Sequence, residues 1–403
     1  MSSKYQVSLI LLLLGWQAAA DVVPASGEFK PFVPAPKQIR RAEVIPPSEV
    51  RIGSLHPADF RRVRSLNGIW KISGVRTFSE PIPAPTAEEL RVVASDFDDS
   101  AFSPIEVPGN FFNQFKVQSA KKPYARAWYR KEFPLSADEL KNRRLLLHFE
   151  RVAYEAEVWL NGKKIGSHHG QYTSFELDAT EAALPGRNVL ALRVLTDNGP
   201  RFGTGPAYHT YGSQWWMGLI AGGITGEVTL SLEPELRITK ALVTPDWENR
   251  KIRVDYTIEN QTGKETSVQL GNVVTSAMKQ SAGKKIGEAA KELWAFPGEN
   301  TGSMEVTLEN PVPWRIGKPY LYFTTLTLKK KGKFEDAESF RFGFRNFRIR
   351  NRKFEFNGEP LFLFAANLSS HHFENAVWTE KMDRLLNGRW AALGWRGEGR
   401  LSV

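Results

Sequence analysis

The chain of 403 residues contains no cysteine. Disulfide bonds, thiolate metal ligands, a cysteine nucleophile and a lipid-modified cysteine are therefore all excluded. A protein without such covalent or metal cross-links depends on packing for its stability. A hydrophobic content of 41% in a chain of this length can fill two or three domain cores.

The sequence also has no hydrophobic run of membrane-spanning length. Its longest apolar run, Val7–Trp16, follows Lys4 and precedes the small residues Ala18–Ala20. This order is typical of a secretory signal peptide. We expect residues 1–20 to be the signal, the mature chain to begin near Asp21, and the protein to be exported to the periplasm or secreted.

Charge gives little evidence for a nucleic-acid partner. The net charge is +10, but lysine and arginine are scattered along the predicted strands. No basic run alternates with aromatic residues as it does in nucleic-acid-binding modules. We therefore expect neither a nucleic-acid partner nor a membrane span. The sequence gives no prediction of oligomeric state.

Strand patterns dominate the chain after a proline-rich segment at residues 21–60, which we interpret as a linker or wrapping arm. In the hairpin VWLNGKKIGSHH, Ala156, Val158 and Leu160 alternate with Glu157, and Asn161-Gly162 fits a type I′ turn. Many short strands separated by turn residues predict a jelly-roll sandwich over residues 61–235.

A second group of strands, at residues 236–345, has the size and pattern of an immunoglobulin-like sandwich. Within it, Lys251–Asn260 places alternate apolar side chains on one face. Residues 346–403 begin with a hairpin at Asn357-Gly358, continue into the apolar run Leu361–Ala366, and include a helix-like segment at 378–394. The predicted fold class is therefore mainly β.

Seven segments, taken in order, resemble glycoside hydrolase family 2, which includes β-galactosidases, β-glucuronidases and β-mannosidases. They are SLNGIWKIS (Ser65–Ser73), VPGNF (Val107–Phe111), AWYRKEF (Ala127–Phe133), the block Leu147–Thr180, GGITGEVTL (Gly222–Leu230), the block Pro311–Leu328 and the block Phe342–His372. The resemblance implies a jelly roll, an immunoglobulin-like sandwich and then a (β/α)₈ barrel, of which residues 346–403 would be the truncated start.

The family activity implied is retaining hydrolysis of β-glycosides by two carboxylates about 5–5.5 Å apart. In the family both catalytic glutamates lie on later barrel strands. A complete barrel needs at least about 200 residues, so the resemblance assigns no catalytic residue to this chain. We expect the polypeptide to be inactive on its own. We predict no cofactor and no metal site.

Candidate sugar-binding residues come from two segments. Tyr211, Trp215 and Trp216 lie in a loop rich in glycine and aromatic residues, and aromatic rings pack well against the apolar faces of sugars. Asn367, His371 and His372 match the residues at the family's barrel entry. The arginine, glycine and first histidine of that motif are absent, and Met217 replaces the family's usual acidic residue.

Purely structural roles are the alternative explanation for these and other candidate residues. The loop aromatics would also serve to pack the sandwich against a neighbouring domain. His168 and His169 are adjacent on a strand and so point to opposite faces, which favours a structural role over a shared metal ion. Asp96, Asp98 and Asp99 lack the glycine and downstream glutamate of a calcium loop, which favours a solvated turn.

Two further functions remain open: a carbohydrate-binding module without a barrel, and a surface adhesion or assembly protein.

Overall fold

The structure is a computed structural model that describes residues 43–78, 83–115, 124–197, 222–315 and 319–361. Strands dominate these residues, as the sequence predicts. In the described ranges, no helix is long and apolar enough to cross a membrane. The predicted signal peptide and the helix-like segment at 378–394 lie outside the described residues.

In its described residues, the first sandwich contains thirteen strands. They are β1 (Arg62–Ser65), β2 (Gly68–Ile72), β3 (Arg76–Phe78), β4 (Ser103–Val107), β5 (Tyr124–Leu135), β6 (Arg143–Phe149), β7 (Val152–Ala153), β8 (Glu155–Leu160), β9 (Lys163–His169), β10 (Phe175–Asp178), β11 (Gly186–Asp197), β12 (Gly223–Ile224) and β13 (Val228–Pro234). The order β1-β13-β6-β10 forms one sheet. The order β4-β2-β5-β11-β8-β9 forms the other, with β3 paired to β5. Strands β12 and β7 pair with each other in a separate two-stranded ladder.

Strand β8 shows how the sequence pattern produces this sandwich. Ala156, Val158 and Leu160 point into the core between the sheets, as their alternation predicts. Asn161 and Gly162 both have positive φ, at 51° and 83°, which confirms the type I′ turn. Trp159 points to the outer face and packs against Trp128, with ring centroids 5.4 Å apart.

Three short helices lie between these strands: α1 (Ala87–Leu90), α2 (Phe111–Phe115) and α3 (Ala137–Leu140). Thr86 and Ser136 each begin a helix with a capping box, which they form with Glu89 and Glu139 respectively. Single turns of 3₁₀-helix occur at Pro47–Glu49, Pro57–Asp59, Arg91–Val93, Thr180–Ala182 and Lys279–Ser281.

The described part of the second sandwich contains seven strands in two sheets. They are β14 (Leu236–Asp246), β15 (Lys251–Asn260), β16 (Thr266–Ser276), β17 (Lys285–Ala295), β18 (Gly298–Thr307), β19 (Tyr322–Lys330) and β20 (Lys333–Phe342). The sheet orders are β14-β15-β18 and β17-β16-β19-β20. Ile252, Val254, Tyr256 and Ile258 all enter the core, as the alternation of Lys251–Asn260 predicts.

A third, small sheet follows the second sandwich. It contains β21 (Phe347–Arg350), β22 (Lys353–Phe356) and β23 (Glu359–Leu361). Asn357 and Gly358 have φ values of 50° and 87°, so the predicted hairpin is present. Trp314 anchors the sheet to the second sandwich through an edge contact with Phe356, 5.3 Å between ring centroids. No barrel forms within the described residues.

Residues 43–60 of the proline-rich segment lie against the second sandwich. Ile45 donates its backbone N–H to the carbonyl of Ala277 at 2.9 Å. Val50, which is only 1% exposed, packs with Ala277 and Phe323 on the outer side of the sheet that contains β19. The chain then enters β1, which pairs with β13 of the first sandwich. This segment therefore crosses from one sandwich to the other.

Arg61 lies at this crossing and contacts both sandwiches. Its Nη2 donates to the Asp336 carboxylate at 2.9 Å and to the carbonyl of Ile238 at 2.6 Å. Its Nε is 3.4 Å from Glu233 of the first sandwich, and Nη1 meets Glu338 of the second. Arg237 pairs with Glu233 and Glu259 beside it. We call the group Arg61, Glu233, Asp336 and Glu338 the joint.

Asp336 is the most buried member of the joint, with no exposed side-chain surface. Burial raises the pKa of its carboxyl group, although Arg61 and the backbone N–H of Ile238 act in the opposite direction. The joint therefore offsets only part of the free-energy cost of burying an ionised Asp336.

Replacing Arg61 by alanine should destabilise the chain by about 3–5 kcal/mol, because the buried carboxylate of Asp336 would lose its charged partner. Arg253→Ala is the matched control, since Arg253 pairs with Asp255 at an exposed site, and should cost less than about 1 kcal/mol. Urea unfolding of both variants measures the difference. Equal losses in the two variants would contradict the role given to Arg61.

At pH values above about 3.9, the contribution of Asp336 to stability should increase as the pH falls. A carboxyl group whose pKa is higher in the folded chain binds protons more readily when folded. Its contribution therefore grows as the pH drops through the folded pKa toward the unfolded value of about 3.9. Asp336→Asn should flatten this slope in urea titrations. Asp246→Asn, which removes an exposed carboxyl group with a lowered pKa, should leave the slope as in the parent. An unchanged slope in Asp336→Asn would show that another group is responsible.

Candidate functional site

The six predicted sugar-binding residues, Tyr211, Trp215, Trp216, Asn367, His371 and His372, lie outside the described residues. The chain on either side of the aromatic loop is described, however. It ends β11 at Asp197 and resumes at Gly222, immediately before β12. These two positions fix where the segment 198–221 leaves and rejoins the sandwich.

Both positions lie at one end of the first sandwich. Tyr154 donates its backbone N–H to the carbonyl of Leu195 at 3.2 Å, just before the end of β11. Gly223 pairs with Ala153 in the β12-β7 ladder, so it lies beside the same turn. Gly170 donates to the carbonyl of Tyr154 at 3.1 Å and brings a further turn to this end. We call residues 109–112, 152–155, 168–173, 195–197 and 222–224 the loop end.

Asn110 anchors the returning strand at the loop end. Its side chain is almost fully buried, and its Oδ1 accepts hydrogen bonds from the backbone N–H of Phe112 at 3.0 Å and of Gly222 at 3.3 Å. Phe111 also donates its N–H to the carbonyl of Gly222 at 3.0 Å. The amide therefore ties the start of α2 to the exit of the aromatic segment.

Two glycines allow this close approach. A Cβ added to Gly222 would lie 2.6 Å from the ring of Phe112 and 2.7 Å from that of Phe111. A Cβ on Gly223, whose φ is +106°, would lie 2.3 Å from the hydroxyl oxygen of Tyr129. Since no larger residue fits these contacts, the glycine pair fixes the route of the chain out of the segment.

The histidine pair behaves as its alternation predicts. His168 stacks on Phe175 with ring centroids 4.2 Å apart, and its Nε2 is 3.0 Å from the hydroxyl of Thr173. Burial lowers the pKa of His168, which keeps its ring neutral near pH 7. His169 points the other way, toward Glu155, with 3.6 Å between Nδ1 and the nearer carboxylate oxygen. The two rings serve different contacts and do not converge on one ion.

Tyr172 departs from expectation. The hairpin and its return strand predict that Trp159, Tyr172 and Phe175 fill or cover the sheet. Trp159 and Phe175 do so, but Tyr172 lies in the turn after β9 and its side chain is 60% exposed. The strand alternation does not extend into this turn, so it could not predict the direction of the ring.

The prediction of a solvated turn is wrong for Asp99. The side chain is buried and receives hydrogen bonds from Lys71 at 2.5 Å and from Arg130 at 2.8 Å. Burial alone would raise the pKa of Asp99, but these two cations outweigh it and the pKa lies below its usual range. The adjoining cavity of about 440 Å³ is lined by Lys71, Asp99 and Arg130. Both cations already neutralise the carboxylate, so the group stabilises the sandwich.

The described residues contain no cluster of side chains suited to binding a metal ion. Among their histidine, aspartate and glutamate side chains, no group of three or more is arranged to hold an ion. The loop end instead combines aromatic rings with amide, imidazole and carboxylate groups. Such a surface can contact the apolar face of a sugar and hydrogen-bond its hydroxyls.

Sequence reasoning did not select Asn110 or Tyr172 as functional residues. A usable signal existed for Asn110, because the asparagine follows a Pro-Gly turn within VPGNF and precedes two phenylalanines. For Tyr172 the signal was weaker: an aromatic residue in the polar turn His169–Ser174, where no strand period applies.

Two protein-family models match the chain. Residues 105–200 match the model described as glycosyl hydrolase 2 galactose-binding domain-like, and residues 236–345 match the model described as glycosyl hydrolases family 2. The first segment belongs to the first sandwich and includes most of the loop end. The second coincides with the second sandwich.

Curated relatives agree with these matches. The β-galactosidase of Pseudoalteromonas haloplanktis is 25% identical over 345 residues, which is 79% of this chain and 31% of the relative. The β-galactosidase of Thermoanaerobacter pseudethanolicus is 28% identical over 281 residues, or 68% of this chain and 35% of the relative. The chain thus spans about a third of the length of these relatives.

Solved structures share the fold. The β-glucuronidase of Bacteroides uniformis superposes with a TM-score of 0.65 at 20% identity, covering 82% of this chain and 38% of that one. The β-glucuronidase of Bifidobacterium dentium, solved with coumarin-3-O-glucuronide, gives 0.61 at 20% identity, with 83% and 56% covered. The resemblance to glycoside hydrolase family 2 is therefore confirmed for both sandwiches, and these solved structures share their fold.

Proposed function

We propose that this chain is an exported protein of carbohydrate metabolism that binds β-linked saccharides through the loop end of its first sandwich. The observation that carries the proposal is the match of residues 105–200 to a galactose-binding-like domain. That segment contains Asn110, Tyr154, His169 and Tyr172. The curated relatives are β-galactosidases, which act on carbohydrate.

The loop end suits this role physically. Sugar sites combine apolar ring faces with a few fixed polar groups. The described residues supply the rings of Tyr154 and Tyr172 and the polar groups of Glu155 and His169. The predicted binding residues Tyr211, Trp215 and Trp216 belong to the segment that leaves and returns at this end.

We further propose that the two sandwiches bind saccharide and take no part in the bond cleavage itself. Retaining hydrolysis needs a nucleophilic carboxylate and an acid/base carboxylate facing each other across the substrate. In the family both carboxylates belong to the barrel domain and not to the two sandwiches. The two sandwiches would then hold saccharide without cleaving it.

Purified polypeptide should release no chromophore from p-nitrophenyl β-galactoside, β-glucuronide or β-mannoside above the rate without protein. A β-galactosidase added to a parallel reaction confirms that the assay detects turnover. Release that copurifies with the chain through two further chromatographic steps would contradict the proposal.

Soluble β-linked polysaccharides should slow the chain in native affinity gels, and Trp215→Ala and Trp216→Ala should reduce that retardation several-fold, because each removes a ring able to stack on a sugar. Trp294→Ala is the control, since Trp294 is 58% exposed on the second sandwich, away from the loop end. Equal retardation of all three variants would remove Trp215 and Trp216 from the site.

A further inference from the structure

The ring of His56 connects two single turns of 3₁₀-helix in the segment 43–60. The turns are Pro47–Glu49 and Pro57–Asp59. Nε2 of His56 lies 2.7 Å from the carbonyl oxygen of Ser48 in the first turn, and Nδ1 lies 2.9 Å from a carboxylate oxygen of Asp59 in the second. Both distances are those of ordinary hydrogen bonds. The side chain of His56 is only 17% exposed, so most of the ring is covered.

Both partners of the ring can only accept hydrogen bonds. A backbone carbonyl has no hydrogen to donate, and neither has an ionised carboxylate. The side chain of Asp59 is 75% exposed, and an exposed carboxyl group is ionised near neutral pH. A neutral imidazole has one N–H and could donate to Ser48 or to Asp59, but not to both. The two contacts together therefore require the protonated ring, which donates from both nitrogens.

The turns joined by His56 belong to the part of the chain that attaches to the second sandwich. Val50 directly follows the first turn and is buried against that sandwich. Both turns contact β20, the strand that carries Asp336 and Glu338 of the joint. A bond between the two turns therefore steadies the stretch of chain that leads to the joint.

The charged groups near His56 come from its own segment and from β20. In the segment they are Glu49, Arg51 and Asp59. The charged residues of β20 are Lys333, Glu335, Asp336, Glu338 and Arg341. Of these, Asp336 and Glu338 pair with Arg61. The hydrogen bond to the Ser48 carbonyl and then that to Asp59 raise the pKa of His56, while burial and the charge of Arg51 oppose them and are outweighed.

We propose that His56 is a pH-sensitive clasp: its protonated ring joins the two turns and holds the segment 43–60 on the second sandwich, and loss of the proton breaks one of the two hydrogen bonds and loosens the segment. This device is independent of saccharide binding. It makes the attachment between the two sandwiches respond to pH in the neutral range.

The direction of the response follows from the two protonation states. A histidine whose pKa is higher in the folded chain than in the unfolded chain stabilises the fold fully below the unfolded value of about 6.5. That contribution is lost as the pH rises through the folded pKa. The segment 43–60 should therefore be held most firmly below about pH 6.5 and should loosen at higher pH.

Hydrogen exchange measured by mass spectrometry on the full chain tests the clasp through the peptides that cover residues 44–60. His56→Gln and the parent are compared at the same pH, so that the intrinsic exchange rate cancels. At about pH 6 the variant should exchange roughly two- to tenfold faster, the effect of losing one hydrogen bond. At about pH 9 the ratio should fall to near one, because the parent has then lost the same bond.

An NMR titration of the histidine Cε1 protons gives a second, direct readout. The His56 signal is the one absent from the spectrum of His56→Gln. Its midpoint in the parent should lie above pH 6.5 and should fall in Asp59→Asn, which removes the negative partner. Asp246→Asn is the matched control, since Asp246 is bonded to Asn249 in the second sandwich, and should leave the midpoint unchanged.

A ratio that exceeds one at pH 6 and disappears at pH 9, with a midpoint above 6.5, supports the clasp. Equal exchange of parent and His56→Gln at both pH values would show that the ring does not hold the segment. Faster exchange by the same factor at both pH values would show a purely structural role. A midpoint at or below 6.5 in the parent would overturn the proposal even if His56→Gln failed to fold.

Discussion

The contact of Arg61 with carboxylates of both sandwiches is the interaction on which the domain arrangement depends. One guanidinium group, at the end of the segment 43–60, contacts Glu233 in the first sandwich and Asp336 and Glu338 in the second. The hydrophobic packing of Val50 against Ala277 and Phe323 holds that segment in place. Because Asp336 is fully buried, its charge is tolerated only while Arg61 is present. Arg61, which directly follows the proline-rich segment, therefore carries the charge that joins the two domains.

At the loop end, too, a buried polar side chain joins segments that are distant in sequence, but here the groups are neutral. A buried side chain, Asn110, satisfies backbone N–H groups of two segments that are far apart in sequence. Gly222 and Gly223 permit the close contact with Phe111 and Tyr129 that this bonding requires. Together they define where the aromatic segment 198–221 rejoins the sandwich. The turn of Tyr172 reaches the same end through Tyr154, which places an exposed ring beside the bonded framework.

Local sequence patterns predicted the strands well, because alternation and turn chemistry act over a few residues. The core positions of β8 and of Lys251–Asn260, and the turns at Asn161-Gly162 and Asn357-Gly358, all follow from such patterns. Contacts between distant residues could not be predicted this way. Arg61 and Asp336 are 275 positions apart, and Asn110 and Gly222 are 112 apart. The error at Asp99 has the same origin, since Arg130 is supplied by a distant strand. The order of the domains followed from the family resemblance, because the periodicity of the strands gives no information about it.

The central claim is that the loop end of the first sandwich holds a saccharide. Hydrogen exchange measured by mass spectrometry, with and without an oligosaccharide of the retained polysaccharide, tests this most directly. The account predicts slower exchange in peptides that cover residues 109–112, 152–155, 168–173 and 222–224, with the second sandwich unchanged. Protection confined to the second sandwich, or none at saturating oligosaccharide, would contradict it.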